Sequence, residues 1–293
     1  MLRVMLASDI HNCHAGWYGM SNEERMADLI RCLEEAKKER DYDMTLCLGD
    51  VSLDFWAWNE GGSYLWDPPV SRTAEFMEKI MPAFPGPFFI TPGNHEQYAP
   101  GDWERITGQP REQIVCRDEA VFVLLDSFSG NLGPAENSDG TYRPVNCGLI
   151  REALDLAGDR PVFLCSHWFD REAEGEEFKS LLRDEPRIRA LFCGHDHFSY
   201  IPLTEEEAGR KPILHTGHFS YSGDKDPCRF YRGWRELTVY DDGSWESLYR
   251  VPEQIIRYPG WTVRMEAHVQ DQWKEGRLGK PAASGTKTEQ RNI

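Results

Sequence analysis

The chain has 293 residues, 40% of them hydrophobic and 28% charged, with a formal net charge of −16. That is enough apolar material for a sizeable core, in a length within reach of one large α/β domain. Proteins that grip polynucleotide phosphates carry a basic stripe, and none is visible in so acidic a chain, so nucleic-acid binding is disfavoured. An anionic small substrate stays open, because bound divalent cations invert the local field. Eight Cys stand at positions 13, 32, 47, 116, 147, 165, 193 and 228 with no C-x-x-C pair, so neither a zinc ribbon nor a redox motif is suggested. Cys47, Cys165 and Cys193 lie inside apolar runs and read as small buried thiols. No stretch reaches the roughly 18–20 apolar residues of a membrane span, and the first residues leave no room for a secretory leader. The expectation is a reducing, cytoplasmic setting.

In chain order, short apolar runs end in polar residues capable of chemistry. Val4 to Ala7 ends in Ser8-Asp9-Ile10-His11, Met44 to Leu48 in Gly49-Asp50, and Phe88 to Ile90 in Pro92-Gly93-Asn94-His95-Glu96. Val121 to Leu125 ends in Asp126-Ser127, Val162 to Leu164 in Ser166-His167, and Ala190 to Phe192 in Gly194-His195-Asp196-His197. Ile213-Leu214 ends in His215-Thr216-Gly217-His218. Such runs, bounded by Gly and Pro, read as buried strands. Helical spacing of apolar residues predicts helices over 23–39, 71–81, 148–157 and 172–183 between them. Alternating strands and helices give an α/β architecture, whose sites gather at the carboxyl ends of strands. Residues 235–251 read as a hairpin around Asp242-Gly243. The first 255 residues are read as the main domain and 256–293 as an extension, polar and mobile from about 274.

Asp9, His11, Asp50, Asn94, His167, His195 and His197 all follow such strands. Asp9/His11 and His195/His197 are i, i+2 pairs, and in extended backbone such pairs share a face, so each pair is expected to reach one ion. Imidazole with carboxylate and amide oxygens suits Mn, Fe or Zn. Any one of these residues alone reads as a hydrogen-bonded structural His or a turn Asp. Seven in order do not.

The order Asp9-x-His11, Gly49-Asp50, Gly93-Asn94-His95-Glu96, His167, Gly194-His195-x-His197 resembles the calcineurin-like metallophosphoesterase superfamily over about residues 1–220. The resemblance implies a four-layer αββα sandwich of two mixed sheets. It implies two divalent or trivalent metal ions, one on Asp9, His11 and His197, the other on Asn94, His167 and His195, with Asp50 bridging. It also implies that His95 faces the substrate and assists the leaving group. The chemistry is coherent by itself: two ions bind the phosphoryl oxygens and acidify a bridging water to hydroxide, and an imidazolium protonates the departing alcohol. Glu96 is expected either to orient His95 or to cap the next helix. Asp54 is a further candidate, although the Gly49–Asp54 stretch lacks the Asp-Arg-Gly of the Ser/Thr protein phosphatases.

The expected substrate is a small-molecule or nucleotide phosphate ester, monoester or diester. A nuclease of the same superfamily is the alternative, and a non-catalytic scaffold the more distant one. His14, Trp56 and His218 are candidate substrate contacts. The aromatic stretch 55–66 reads either as a wall that stacks a flat group or as a satellite core. The 221–232 loop, with Arg229 and Arg232, reads as solvated or as reaching a phosphate.

Overall fold

In the Leu2–Ala7 strand, Leu2, Val4 and Leu6 enter one core while Met5 and Ala7 enter another. A strand with apolar residues on both faces must be covered on both. The computed structural model, which describes residues 1–14, 16, 20–55, 57–58, 63–64, 71–130, 132, 140–197, 211–220, 231–258, 261–274 and 277–279, shows how that is met. Leu2–Ala7 pairs in parallel with Met44–Leu48, which pairs in parallel with Phe88–Thr91. On its other side it runs antiparallel to Trp234–Val239, and the seven-stranded sheet continues through Trp245–Val251, His268–Lys274 and Arg277–Gly279. The second sheet has five strands in the order Ile213–His215, Ile188–Cys193, Val162–Ser166, Val121–Leu125, Gln113–Cys116.

Three apolar layers hold these sheets together. Between the sheets, Val4, Leu6, Leu46 and Leu48 meet Phe122, Leu124, Phe163 and Phe192. Met5, Ala7, Cys47 and Ile90 pack outward on Met26, Leu29, Leu33, Phe76 and Trp103 of the first helical layer. Val123, Leu164 and Leu191 pack outward on Ile150, Leu154, Phe178 and Leu182 of the second. The result is the αββα sandwich that the resemblance implied.

The helices follow local rules. Asn22–Glu39 opens on a capping box, Ser21 with Glu24, and carries Lys37 and Lys38 in its last turn. The segment expected at 71–81 is helical over Arg72–Lys79 and tightens into a short turn, Met81–Ala83, where Pro82 cannot continue the ladder. Cys147–Ala157 is capped by Asn146. The expected 172–183 helix starts only at Glu176, because the Asp170 carboxylate draws the Glu172 and Ala173 N–H groups into a turn first. Pro100–Thr107, closed by Gly108 at φ 70°, was not expected.

The Asp242-Gly243 hairpin forms as expected, with Gly243 at φ 78°. Beyond residue 255 the chain adds more: Gln254–Tyr258 pairs with Trp261–Met265, and His268–Lys274 joins the large sheet. Asp271 on that strand meets the buried Arg235 guanidinium at 2.8 and 3.0 Å, an ion pair that no apolar pattern announces. Residues 280–293 lie outside the described residues.

Candidate metal centre

Both sheets end on the same side in the residues singled out from sequence. Asp9 and His11 follow Leu2–Ala7, Asp50 follows Met44–Leu48, and Asn94 and His95 follow Phe88–Thr91. His167 follows Val162–Ser166, while His195 and His197 follow Ile188–Cys193. The backbone here is not extended. Asp9, His11, Asp50, His195 and His197 are the non-glycine residues with positive φ among the described residues, at 54°, 52°, 53°, 67° and 56°. Each such residue costs about 1–2 kcal/mol. The i, i+2 pairs therefore converge through left-handed turns, and not through the alternation of a strand, as the sequence had suggested. Strain concentrated at one spot is itself a sign of a site. The turns need glycine where they touch: a Cβ on Gly93 would lie 2.1 Å from Asp50 Oδ1, and one on Gly194 would lie 2.4 Å from Asp9 Oδ2.

The donor atoms fall into two groups that share Asp50. In one, Asp9 Oδ1 is 3.3 Å from His197 Nε2 and 3.9 Å from His11 Nε2, and His11 Nε2 is 3.3 Å from Asp50 Oδ2. In the other, Asp50 Oδ2 is 3.2 Å from His167 Nε2, and Asn94 Oδ1 is 2.9 Å from His167 Nε2 and 3.0 Å from His195 Nδ1. Donors about 2.1 Å from one ion, in octahedral or tetrahedral array, stand about 3.0–3.4 Å apart. Most of these separations match. His95 Nε2 is 3.6 Å from the same Asp50 oxygen and 3.3 Å from Asn94 Nδ2.

Each carboxylate gives one oxygen to the centre and ties down the other. Asp9 Oδ2 accepts from the His195 N–H at 3.1 Å and from the Ser8 hydroxyl. Asp50 Oδ1 accepts from the His95 N–H at 3.0 Å. His167 Nδ1 lies 2.7 Å from the Leu48 carbonyl, which fixes the proton there and leaves Nε2 as a donor to an ion. Glu96 neither orients His95 nor caps a helix. It is fully buried and accepts from the backbone N–H groups of Asp50, Ser52 and Gly93 at 2.8, 2.9 and 2.8 Å, pinning two site loops to each other.

Electrostatics favour cations. Burial pushes the Asp9 carboxyl up, but His197 and His167 more than reverse this, and it stays below the usual carboxylate range. Asp50 behaves alike, with His167 and His95 overcoming burial. Burial brings His11 down to about 4 and His195 down to about 3, so both rings are neutral at pH 7 with a lone pair to offer. Burial also lowers His167, yet Asp50 wins and pulls it up to about 10, so without an ion its Nε2 carries a proton, which an ion would have to displace. Asp9 Oδ1 is buried and accepts no hydrogen bond among the described residues. An oxygen so placed is costly unless a cation meets it. The donor set fits the two ions that the resemblance implied.

A family model described as calcineurin-like phosphoesterase matches residues 2–199. The chain belongs to that family. With membership goes the class of reaction, metal-dependent hydrolysis of a phosphate ester. No curated protein matches the chain. Among solved structures it is similar to a dimetal phosphatase from Danio rerio, with 13% identity, TM-score 0.55, and coverage of 92% of this chain and 98% of that one. It is also similar to a purple acid phosphatase from yellow lupin seeds, with 13% identity, TM-score 0.55, and 85% and 51% covered. A putative 5'-nucleotidase from Staphylococcus aureus gives 15% identity, TM-score 0.51, and 82% and 51% covered. The chain thus spans about half the length of the last two, and all three likenesses concern the fold.

Within this phosphoesterase, the other expectations divide. Asp54 is drawn away from the centre: it accepts from the Arg72 and Thr73 N–H groups at 2.9 and 3.0 Å and from the Tyr98 hydroxyl, anchoring the start of the Arg72–Lys79 helix. His218 is fully buried, its ring stacked on His197 at 5.2 Å, which leaves it no surface for substrate. His14 is exposed in the loop after His11. Trp56 lies outside the described residues. Of the 55–66 stretch only the Phe55 side chain is described, and it packs edge-on to Tyr98 in the outer core. Arg232 is neither solvated nor aimed at a phosphate: it is buried and 2.9 Å from Asp28. Residues 221–230 lie outside the described ones. Sequence reading missed Trp168 and Phe128, whose rings lie 4.8 and 5.6 Å from that of His195. The one available signal was adjacency, since Trp168 follows His167.

No helix among the described residues is long and apolar enough to cross a membrane.

Proposed function

We propose that this chain hydrolyses a small-molecule or nucleotide phosphate ester, with two ions held by Asp9, His11 and His197 and by Asn94, His167 and His195, and with Asp50 shared. The observation that carries the reading is Asp50 Oδ2, which lies 3.3 Å from His11 Nε2 and 3.2 Å from His167 Nε2, so one oxygen reaches both donor groups. Manganese, iron or zinc suits imidazole mixed with carboxylate and amide oxygen. When bound, two such ions draw charge from the phosphoryl oxygens and acidify water enough to attack phosphorus near neutral pH.

The chain's own residues do the rest. The Ser8 hydroxyl and the His195 N–H orient Asp9, the His95 N–H orients Asp50, and Glu96 fixes the two loops that carry Asp50 and Asn94. His95 is 8% exposed, beside Asp50, and has a backbone anchored by that carboxylate. A ring so placed is suited to protonate the departing oxygen. His14, exposed in the loop after His11, stays a candidate for substrate contact, as does Trp56, which lies outside the described residues. The net charge of −16 disfavours a nuclease, whose substrate would need a basic groove.

The test is turnover of bis-p-nitrophenyl phosphate, p-nitrophenyl phosphate and cyclic nucleotides with Mn present, alongside metal analysis. Hydrolysis of at least one compound, with two ions per chain, is expected. Inactivity on all of them in a preparation holding two ions would refute the small-ester reading.

A further inference from the structure

His195 is held unlike the His ligand beside it. A metal-binding imidazole is normally aimed by a hydrogen bond from its other nitrogen, and His167 shows this, with Nδ1 2.7 Å from the Leu48 carbonyl. His195 faces Asn94 Oδ1 with Nδ1, and among the described residues its Nε2 has no hydrogen-bond partner. Rings surround it instead. Trp168 stacks on it at 4.8 Å with an interplanar angle of 28°, Phe128 lies at 5.6 Å and 34°, and His167 meets it edge-on at 5.2 Å and 83°.

Trp168 is itself positioned. Its ring is parallel to Phe128 within 13° and meets Tyr142 edge-on at 5.5 Å. The Tyr142 hydroxyl donates to Glu174 at 2.5 Å, and Glu174 also accepts from the Val145 N–H at 3.1 Å. The Gly140 N–H donates to the Asn94 carbonyl at 3.0 Å, so the segment that brings Tyr142 is fastened to the loop of another donor. The indole is therefore a braced surface.

We infer that Trp168 is a positioning residue for the Asn94–His167–His195 ion: its indole, in place of a hydrogen bond, fixes the ring plane of His195. The inference rests on the two-ion reading above. Indole stacking limits rotation about the His195 side chain without taking up Nε2, and parallel offset rings are a favourable arrangement. Loss of the stack frees the ring to turn, so the affected property is affinity for one ion, with the other ion spared. A residue that merely filled space would alter stability and leave the two affinities in their original ratio.

The experiment is calorimetric titration of Mn into the stripped full-length protein and into Trp168→Leu and Trp168→Phe, with metal content after dialysis as a second readout. Leu retains apolar bulk without a ring, and thermal unfolding checks that it folds. In Trp168→Leu the weaker of two Mn affinities is expected to fall roughly 10–100-fold, as for other outer partners of metal ligands. The tighter affinity stays within about threefold of wild type on the same grounds, and Trp168→Phe recovers most of the loss. If Trp168→Leu binds both ions as wild type does, the inference is wrong, and a raised KM alone would make Trp168 a substrate-stacking residue instead. Should Trp168→Leu fail to fold, Trp168→Phe must still show the same one-sided weakening to a smaller degree; equal affinities there also overturn the inference. A wild-type protein that binds fewer than two Mn ions refutes the two-ion reading itself, which is a separate result.

Discussion

The two halves of the proposed centre are built on different physics. The Asp9–His11–His197 half has a carboxylate of its own besides Asp50, and the Asp9 oxygen within it accepts no hydrogen bond among the described residues. The Asn94–His167–His195 half has a neutral amide in the corresponding place. One half attracts a cation by charge. The other must do more through geometry, and it is there that the Leu48 carbonyl and the Trp168 and Phe128 rings hold the imidazoles. Where charge is scarce, preorganisation has to make up the affinity.

The largest effect should come from Asp50→Asn, which removes the charge common to both halves. Turnover of bis-p-nitrophenyl phosphate is expected to fall at least about 10³-fold, roughly 4 kcal/mol of barrier, and metal analysis should find less than two ions. Near-normal turnover would show that the halves do not depend on a shared oxygen.

His95→Ala should separate chemistry from assembly. A loss of about 10²–10³-fold in kcat is expected, with both ions retained. The loss should be greater for an alkyl phosphate than for a p-nitrophenyl ester, whose leaving group hardly needs a proton. Equal losses on both would remove His95 as the acid.

Glu96→Gln tests the tie between the Asp50 and Asn94 loops. Its amide cannot accept three backbone N–H groups on both sides, and an unmet buried donor costs about 1–3 kcal/mol. A fall in Tm of roughly 3–10 °C is expected, along with weaker binding of both ions. An unchanged Tm would mean that the loops hold their shape without it.

The smallest effect should follow His218→Phe, which keeps a ring against His197. Both Mn affinities should stay within about threefold of wild type, as aromatic stacking is retained. A selective loss at the first half would show that His218 contributes more than its plane.

The seven candidate donors could be singled out in the sequence because each closes an apolar run, and the sheet order then brings those strand ends together. The means were misread. Positive φ at Asp9, His11, Asp50, His195 and His197 depends on turns braced by Gly93, Gly194 and distant backbone groups, and no local pattern reports those contacts. Asp54 and Glu96 show the same limit. Each is an acid a few residues from a donor, yet one anchors a helix and the other staples two loops.

The alternation of strands and helices pointed to the α/β class, and the spacing of Asp, Asn and His carried the family resemblance that implied the sandwich and the kind of reaction. Those features are local, and local periodicity decides which face is buried and where each strand stops. Only the tertiary structure decided that His218 lies behind His197, that Arg232 is spent on Asp28, and that Trp168 lies against His195. Such pairings join residues remote in the chain, and packing alone selects them.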